Sequence, residues 1–176
     1  SSLRPRRDWV KGFLESSLAF EPGTRFVYNS AATYMLASVI RRTTGRNVLD
    51  YLQERLLRPL GIDAHRWDCC PMGTNVGGWG FWLKTEDLLR FGRLLLHNGN
   101  WEGRQLIPET YLREAVSKQI DNSGNAQPDW KLGYGFQFWR CRHNAFRGDG
   151  AFGQYALVMP EQDAVLAITS GLRNMQ

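Results

Sequence analysis

Tyr28 stands between a Pro22-Gly23 turn and an apolar segment, Ala31 to Ile40, that reads as a helix. A phenol at a helix mouth lies near backbone N–H groups and their partial positive charge, which favour a polarised hydroxyl or a phenolate. Such a group can exchange a proton with a substrate. Asn29 and Ser30 follow it. Asn29 offers an amide for a substrate contact. Ser30 offers one rotating hydroxyl of shorter reach, either to a substrate or as the N-cap of the helix. Much later, Gly148-Asp149-Gly150-Ala151 places a carboxylate between two glycines. Glycines there either let a substrate backbone lie against a strand or form a plain turn between strands.

The elements that must hold these groups follow from periodicity. Trp9 to Leu18 carries apolar residues at Trp9, Val10, Phe13, Leu14 and Leu18, the spacing of one helical face. Ala31 to Thr43 is apolar over most of its circumference, which predicts burial on several sides, with Gly45 as the stop. Val48 to Leu57 aligns Leu49, Leu52 and Leu56, with Asn47 as cap and Pro59 at its end. The stretch from Gly61 to Gly80 is rich in turn formers and reads as irregular. Thr85 is placed to cap the next helix, with Leu88, Leu89, Phe91, Leu95 and Leu96 on its buried side. Gly99 marks a turn, and Pro108 fits the first position of a helix over Glu109 to Val116.

After a polar loop from Asp121 to Asp129 the pattern changes to strands. Tyr134, Phe136 and Phe138 alternate with smaller or polar residues. Gln154 to Met159 and Ala164 to Thr169 flank the turn Pro160-Glu161-Gln162-Asp163, which predicts antiparallel neighbours. Trp79, Trp82, Trp130, Trp139, Tyr134 and Phe152 suit either the lining of a substrate groove or, as for most such aromatics, the core, and no ligand role is assigned to any of them.

With 176 residues and an ordinary apolar fraction, the chain suits one compact soluble domain. The net charge is +5. Arg4, Arg6 and Arg7 cluster, and Arg41 and Arg42 adjoin, but no basic stripe joins a recognisable nucleic-acid fold, so no nucleic-acid partner is expected. These charges are assigned to solvated helix faces. Cys69, Cys70 and Cys141, like His65, His97 and His143, lack metal-ligand spacing and read as isolated surface or packing residues. No apolar run approaches the length of a membrane span.

The ordered series Pro22-Gly23-x-x-Phe26-x-Tyr28-Asn29-Ser30, Thr44-Gly45, Pro59-Leu60-Gly61, Gly77-Gly78-Trp79-Gly80, Thr85-Glu86-Asp87, Gly133-Tyr134-Gly135, Gly148 to Gln154 and Thr169-Ser170-Gly171 resembles the penicillin-recognising serine hydrolases. It is most similar to the branch with class C β-lactamases, D,D-peptidases and related esterases and amidases. The resemblance implies an α/β fold of the α+β type: a single β-lactamase-like domain fragment over residues 1–176, mainly helical over 1–120 and antiparallel over 130–176. It implies an active site between sheet and helices. Tyr28 would relay the proton from the attacking serine to the leaving group, and the Ala151 N–H would join the oxyanion hole. Asn29, Ser30, Gly148, Asp149 and Gly150 would contact a small-molecule or peptide substrate. No metal or organic cofactor is implied.

Three departures shape the expectation. Serine at 30 replaces the asparagine most common in the family, and Asp149 replaces a neutral or donor residue, with no cation at position 148. Both tilt the reading from β-lactams and D-amino-acid peptides toward esters or small amides. The nucleophilic Ser-x-x-Lys is absent. Three residues before Lys11, Lys84, Lys118 and Lys131 stand Asp8, Phe81, Ala115 and Pro128, and the near matches Ser38-x-x-Arg41 and Ser170-x-x-Arg173 end in a guanidinium that cannot act as a base. The chain is therefore read as the C-terminal part of a longer enzyme, partnered by an N-terminal segment of the same protein that carries the serine. The resemblance implies a periplasmic or cell-envelope setting, with the cytoplasm the alternative. Two other classes stay open: a non-catalytic member that binds ligand or peptidoglycan, and a basic adaptor for anionic surfaces.

Overall fold

The computed structural model describes residues 7–63 and 66–173; Arg4, Arg6 and His65 lie outside them. The chain divides into two compact units, Ser1–Leu83 and Lys84–Gln176.

The first unit is helical. Helix α1 spans Trp9–Leu14 and starts where the Asp8 carboxylate accepts from the Lys11 N–H at 3.0 Å. The expected continuation to Leu18 does not form. The Ser16 hydroxyl turns back on the Gly12 carbonyl, and Leu14 and Leu18 are exposed, so no burial offsets the cost of another helical turn. Helix α2 spans Ser30–Thr44 and closes at Gly45 in the left-handed conformation, as its sequence predicts. Its burial is narrower than predicted. Tyr34 and Ala37 are buried, while Leu36 and Val39 are more than half exposed. One face of α2 meets Trp9, Cys70 and Val76 in a small core, with the Trp9 and Tyr34 rings edge-on at 5.3 Å.

Helix α3, Val48–Leu52, runs on into a π-helical turn, Gln53–Leu57, so the predicted span is helical with a widened end. Asn47 holds the cap position without capping through its side chain. Its amide donates to the Gly73 carbonyl at 2.9 Å, and Asn75 Oδ1 accepts from the Leu49 N–H at 3.1 Å instead. Arg41 is not on a solvated face either. It donates to the Met72 carbonyl at 3.0 Å and to Thr74 Oγ1 at 2.7 Å, pinning the loop to α2.

The second unit packs helices on a sheet. Helix α4 spans Thr85–Leu96; strands β1, Asn100–Trp101, and β2, Arg104–Gln105, form a hairpin; α5 spans Glu109–Val116. The main sheet comprises β3, Trp139–Arg140, β4, Phe146–Gly150, β5, Gln154–Met159, and β6, Ala164–Ile168, antiparallel in that order. Lys84, not Thr85, sits at the cap of α4, and the Thr85 hydroxyl pairs with that of Thr169 at 2.6 Å. Pro108 likewise sits one place before α5, at its cap. Leu94 and Leu95 form the buried side of α4, whereas Leu89 is exposed. At Gly92 a Cβ would come within 2.5 Å of Val165 Cγ1, so glycine is what permits α4 to lie this close to β6.

Leu95, Leu112, Phe146 and Val158 form the core between these helices and the sheet. Complete burial of Leu94 and Val158 contributes about 1.5–3 kcal/mol each. The predicted strand from Tyr134 to Phe138 is not made. Tyr134 forms only isolated pairings with Ile120 and Trp139, and Gln137 adopts a φ of 67°, which breaks strand alternation. The fold is α/β of the α+β type, helices with a C-terminal antiparallel sheet. No helix among the described residues is long and apolar enough to cross a membrane.

Candidate active site

In the first unit, Tyr28 precedes α2 by two residues and is 54% exposed. Asn29 has extended backbone angles, and its Oδ1 accepts from the Ala31 N–H at 2.9 Å. Asn29 is therefore the N-cap, and Ser30 is the first helical residue. That removes one of the two roles left open for Ser30. It also commits the Asn29 amide oxygen to the helix, leaving its NH2 group as the donor available for a substrate contact. The loop at Gly77-Gly78 presses on the same turns. A Cβ on Gly78 would lie 2.8 Å from the Ser30 carbonyl oxygen, and one on Gly77 would lie 2.8 Å from that of Thr33. Two glycines thus let the loop brace the helix mouth from the side.

Further along α2, Tyr34 is buried, and its hydroxyl donates to Cys70 Sγ at 3.4 Å. Burial, and then this hydrogen bond, raise the Tyr34 pKa. For Cys70, burial pushes the thiol up, but hydrogen bonds from Tyr34 and from the backbone of Thr74 and Met72 outweigh it and lower its pKa overall. Cys69 next door is pushed up by burial and by the charge of Cys70. The two near-match serines serve the backbone: Ser38 Oγ donates to the Tyr34 carbonyl at 3.1 Å, and Ser170 Oγ to that of Phe152 at 2.6 Å.

In the second unit, Gly148, Asp149 and Gly150 lie within β4, opposite Ala156, Tyr155 and Gln154. They are strand residues, and the turn comes after them, at residues 151–153. The Asp149 side chain is only 8% exposed and that of Arg147 only 11%. Asp149 Oδ2 accepts from Arg147 Nε and from Trp130 Nε1, each at 3.0 Å. Arg147 also donates to the Asp129 carbonyl at 3.2 Å and to Cys141 Sγ at 3.1 Å. Burial works against the Arg147 charge, yet its bonds to Cys141 and Asp149 hold the guanidinium above its ordinary pKa. Residues 147 and 149 share a strand face, so the spacing Arg-x-Asp was the available sequence signal for this pair. Nothing in the sequence pointed to Trp130 as its third member.

Ala151 is exposed at the start of the turn. Phe152 follows with a φ of 68°, a left-handed geometry that costs a non-glycine residue about 1–2 kcal/mol. The chain end offsets this cost: the Phe152 carbonyl accepts from Ser170 Oγ and from the Leu172 N–H at 3.2 Å.

A cavity of about 620 Å³ in this unit is lined by Leu95, Leu112, Arg140, Phe146 and Asp163 among others, and by none of the candidate site residues Tyr28, Asn29, Ser30 or 148–151. Arg147 and Cys141 line another of about 300 Å³. Among the described residues no three His, Cys, Asp or Glu side chains cluster as a metal site would require, and the three cysteines are free thiols.

The sequence model of the Beta-lactamase family matches residues 2–174. The chain belongs to the beta-lactamase family. Solved structures with the same fold include a proposed 6-aminohexanoate-dimer hydrolase from Bacillus anthracis, with 24% identity and a TM-score of 0.80 over 94% of this chain and 45% of that one. A penicillin-binding protein homologue from Caulobacter crescentus matches with 16% identity and a TM-score of 0.77, over 93% of this chain and 57% of its own. A beta-lactamase from Mycobacterium bovis matches with 22% identity and a TM-score of 0.70, over 87% and 59%. This beta-lactamase-family chain thus spans about half the length of the structures it matches. Its two candidate segments are divided between the units, Tyr28-Asn29-Ser30 in the first and Gly148 to Ala151 in the second.

Proposed function

We propose that this chain is the C-terminal portion of a serine hydrolase that acts by acyl transfer on small esters or amides, with the nucleophile in a Ser-x-x-Lys segment outside these residues. In this reading the serine attacks the substrate carbonyl, Tyr28 assists transfer of its proton to the leaving group, the Ala151 N–H donates to the oxyanion, and water releases the acyl group. Family membership supports the reaction class.

The observation that carries the substrate class is the closed Arg147–Asp149–Trp130 set on β4. The strand's cation and carboxylate neutralise each other in place. No charge on that strand is left over to capture a substrate carboxylate, so a neutral acyl group is favoured over a penicillin or a peptide C-terminus. The Bacillus anthracis neighbour is named a proposed 6-aminohexanoate-dimer hydrolase, which agrees with hydrolysis of a small substrate.

The test is covalent labelling of serine, phosphonylation by a fluorescent fluorophosphonate and acylation by labelled penicillin, with p-nitrophenyl ester hydrolysis in parallel. The chain alone is expected to stay unlabelled and inactive. The polypeptide encoded by the longer reading frame is expected to take the fluorophosphonate and turn over the ester. Stable acylation of any serine within residues 1–176 overturns the external nucleophile. A longer reading frame that lacks Ser-x-x-Lys favours a binding module instead.

A further inference from the structure

Two arginines on neighbouring strands differ in how their charge is met. Arg147, on β4, is closed by the Asp149 carboxylate at 3.0 Å. Arg140, on β3, pairs in register with Phe146, so its side chain lies on the sheet face opposite to that of Arg147. There, among the described residues, its acceptors are neutral: the Val116 carbonyl at 2.9 Å, Asn144 Oδ1 at 2.8 Å and the Asn144 carbonyl at 3.4 Å. These bonds fix the guanidinium in place without cancelling its charge. It lines the cavity of about 620 Å³, whose lining residues all lie in the second unit.

The floor of that cavity is apolar, formed by Leu95, Leu112 and Phe146, which are continuous with the core. Its rim is polar and mostly cationic. Arg113 and Lys118 join Arg140 there, and Asp163 is the one carboxylate among the described residues that line it. Arg113 holds Glu109 and Lys118 holds Asp121, each at 2.7 Å, but both pairs are exposed and worth little in water, so either cation can turn to a ligand.

We infer that this cavity is a binding site for a small amphipathic carboxylate. The carboxylate takes the fixed fork of Arg140, a planar donor pair matched to two oxygens, and the hydrocarbon tail lies over Leu95, Leu112 and Phe146. The volume falls within the range of small-molecule sites. An alcohol of the same length lacks the anion, and an amine meets the cationic rim. The inference concerns binding alone and does not rest on the hydrolase reading.

Octanoate is the probe, titrated into the protein by calorimetry and by methyl NMR. It should saturate one site, and the shifted methyl resonances should be those of Leu95, Leu112 and Val116. Octanoate should bind about fivefold more tightly than hexanoate, because two methylenes on an open apolar floor gain about half of their full transfer energy. Octanol should bind at least about tenfold more weakly, and octylamine should not bind, because neither supplies the charge-assisted bond to Arg140. Arg140→Gln should weaken octanoate at least about tenfold and leave octanol unchanged. Since Arg140 also anchors Val116, a second variant guards against misfolding: Ser117→Phe fills the cavity from its exposed rim and should abolish octanoate binding at an unchanged melting temperature. The inference is overturned by lack of saturation below about 1 mM octanoate, by octanol binding as tightly as octanoate, by shifts confined to other methyl groups, or by a folded Ser117→Phe variant that binds normally.

Discussion

The mouth of α2 and the end of β4 hold their candidate residues by opposite means. At α2 the capping is local: Asn29, next to the half-exposed Tyr28, caps the helix, and the Gly77-Gly78 loop only braces its side. At β4 the support comes from far along the chain. Trp130 reaches a nearly buried Asp149 from 19 residues away to join the neighbouring Arg147, and Ser170 and Leu172 fasten the turn behind Ala151. The difference separates the roles that substitution should reveal. A residue held locally and exposed can be lost with little effect on folding, so its loss reads out in chemistry. A residue held by a buried network reads out first in stability.

The largest expected effect is therefore at Tyr28. In the catalytically complete protein, Tyr28→Phe keeps the ring and deletes the only group that can carry a proton. Ester turnover should fall by roughly two to four powers of ten, the scale of general acid–base assistance, with little change in melting temperature. Normal turnover in this variant would show the phenol to be structural and would erase the functional half of the comparison.

Next comes Asp149→Ala, measured as urea stability of the chain itself. Removing one partner of a buried pair strands the Arg147 charge, which costs about 3–5 kcal/mol. Arg147→Met combined with Asp149→Ala should recover much of that loss, because no charge is then left unpaired. A loss below about 1 kcal/mol in the single variant would mean that the pair is solvated and that β4 is held no more firmly than α2.

The same contrast explains what the sequence made legible. Helix α2 and its Gly45 stop, and the β5–β6 hairpin around Pro160 to Asp163, depend on neighbours in the chain, and both are where periodicity and turn residues place them. Asn47 takes the cap position of α3 that the sequence predicts, but the side-chain acceptor for the Leu49 N–H comes from Asn75, far along the chain, which local spacing does not show. Thr85 was misassigned for a like reason, its hydroxyl being turned to Thr169. The alternation over Tyr134 to Phe138 mimics a strand, but the left-handed Gln137 interrupts it. At the candidate site the motif residues could be named from spacing, while the neutralisation of Asp149 by Trp130 could not, since nothing local ties positions 130 and 149.

The smallest effect, and the sharpest on local support, is at the cap. Asn29→Ala removes the acceptor for the Ala31 N–H and should cost about 0.5–2 kcal/mol in urea denaturation. Asn29→Asp keeps an acceptor of the same reach and adds a negative charge at the positive end of α2, so it should restore or slightly exceed the original stability. Ser30→Ala should change stability by a few tenths of a kcal/mol at most, because the capping bond belongs to Asn29. These three variants rank the two residues directly. If Ser30→Ala costs as much as Asn29→Ala, the serine shares the cap, and the mouth that presents Tyr28 is held by two side chains and not one.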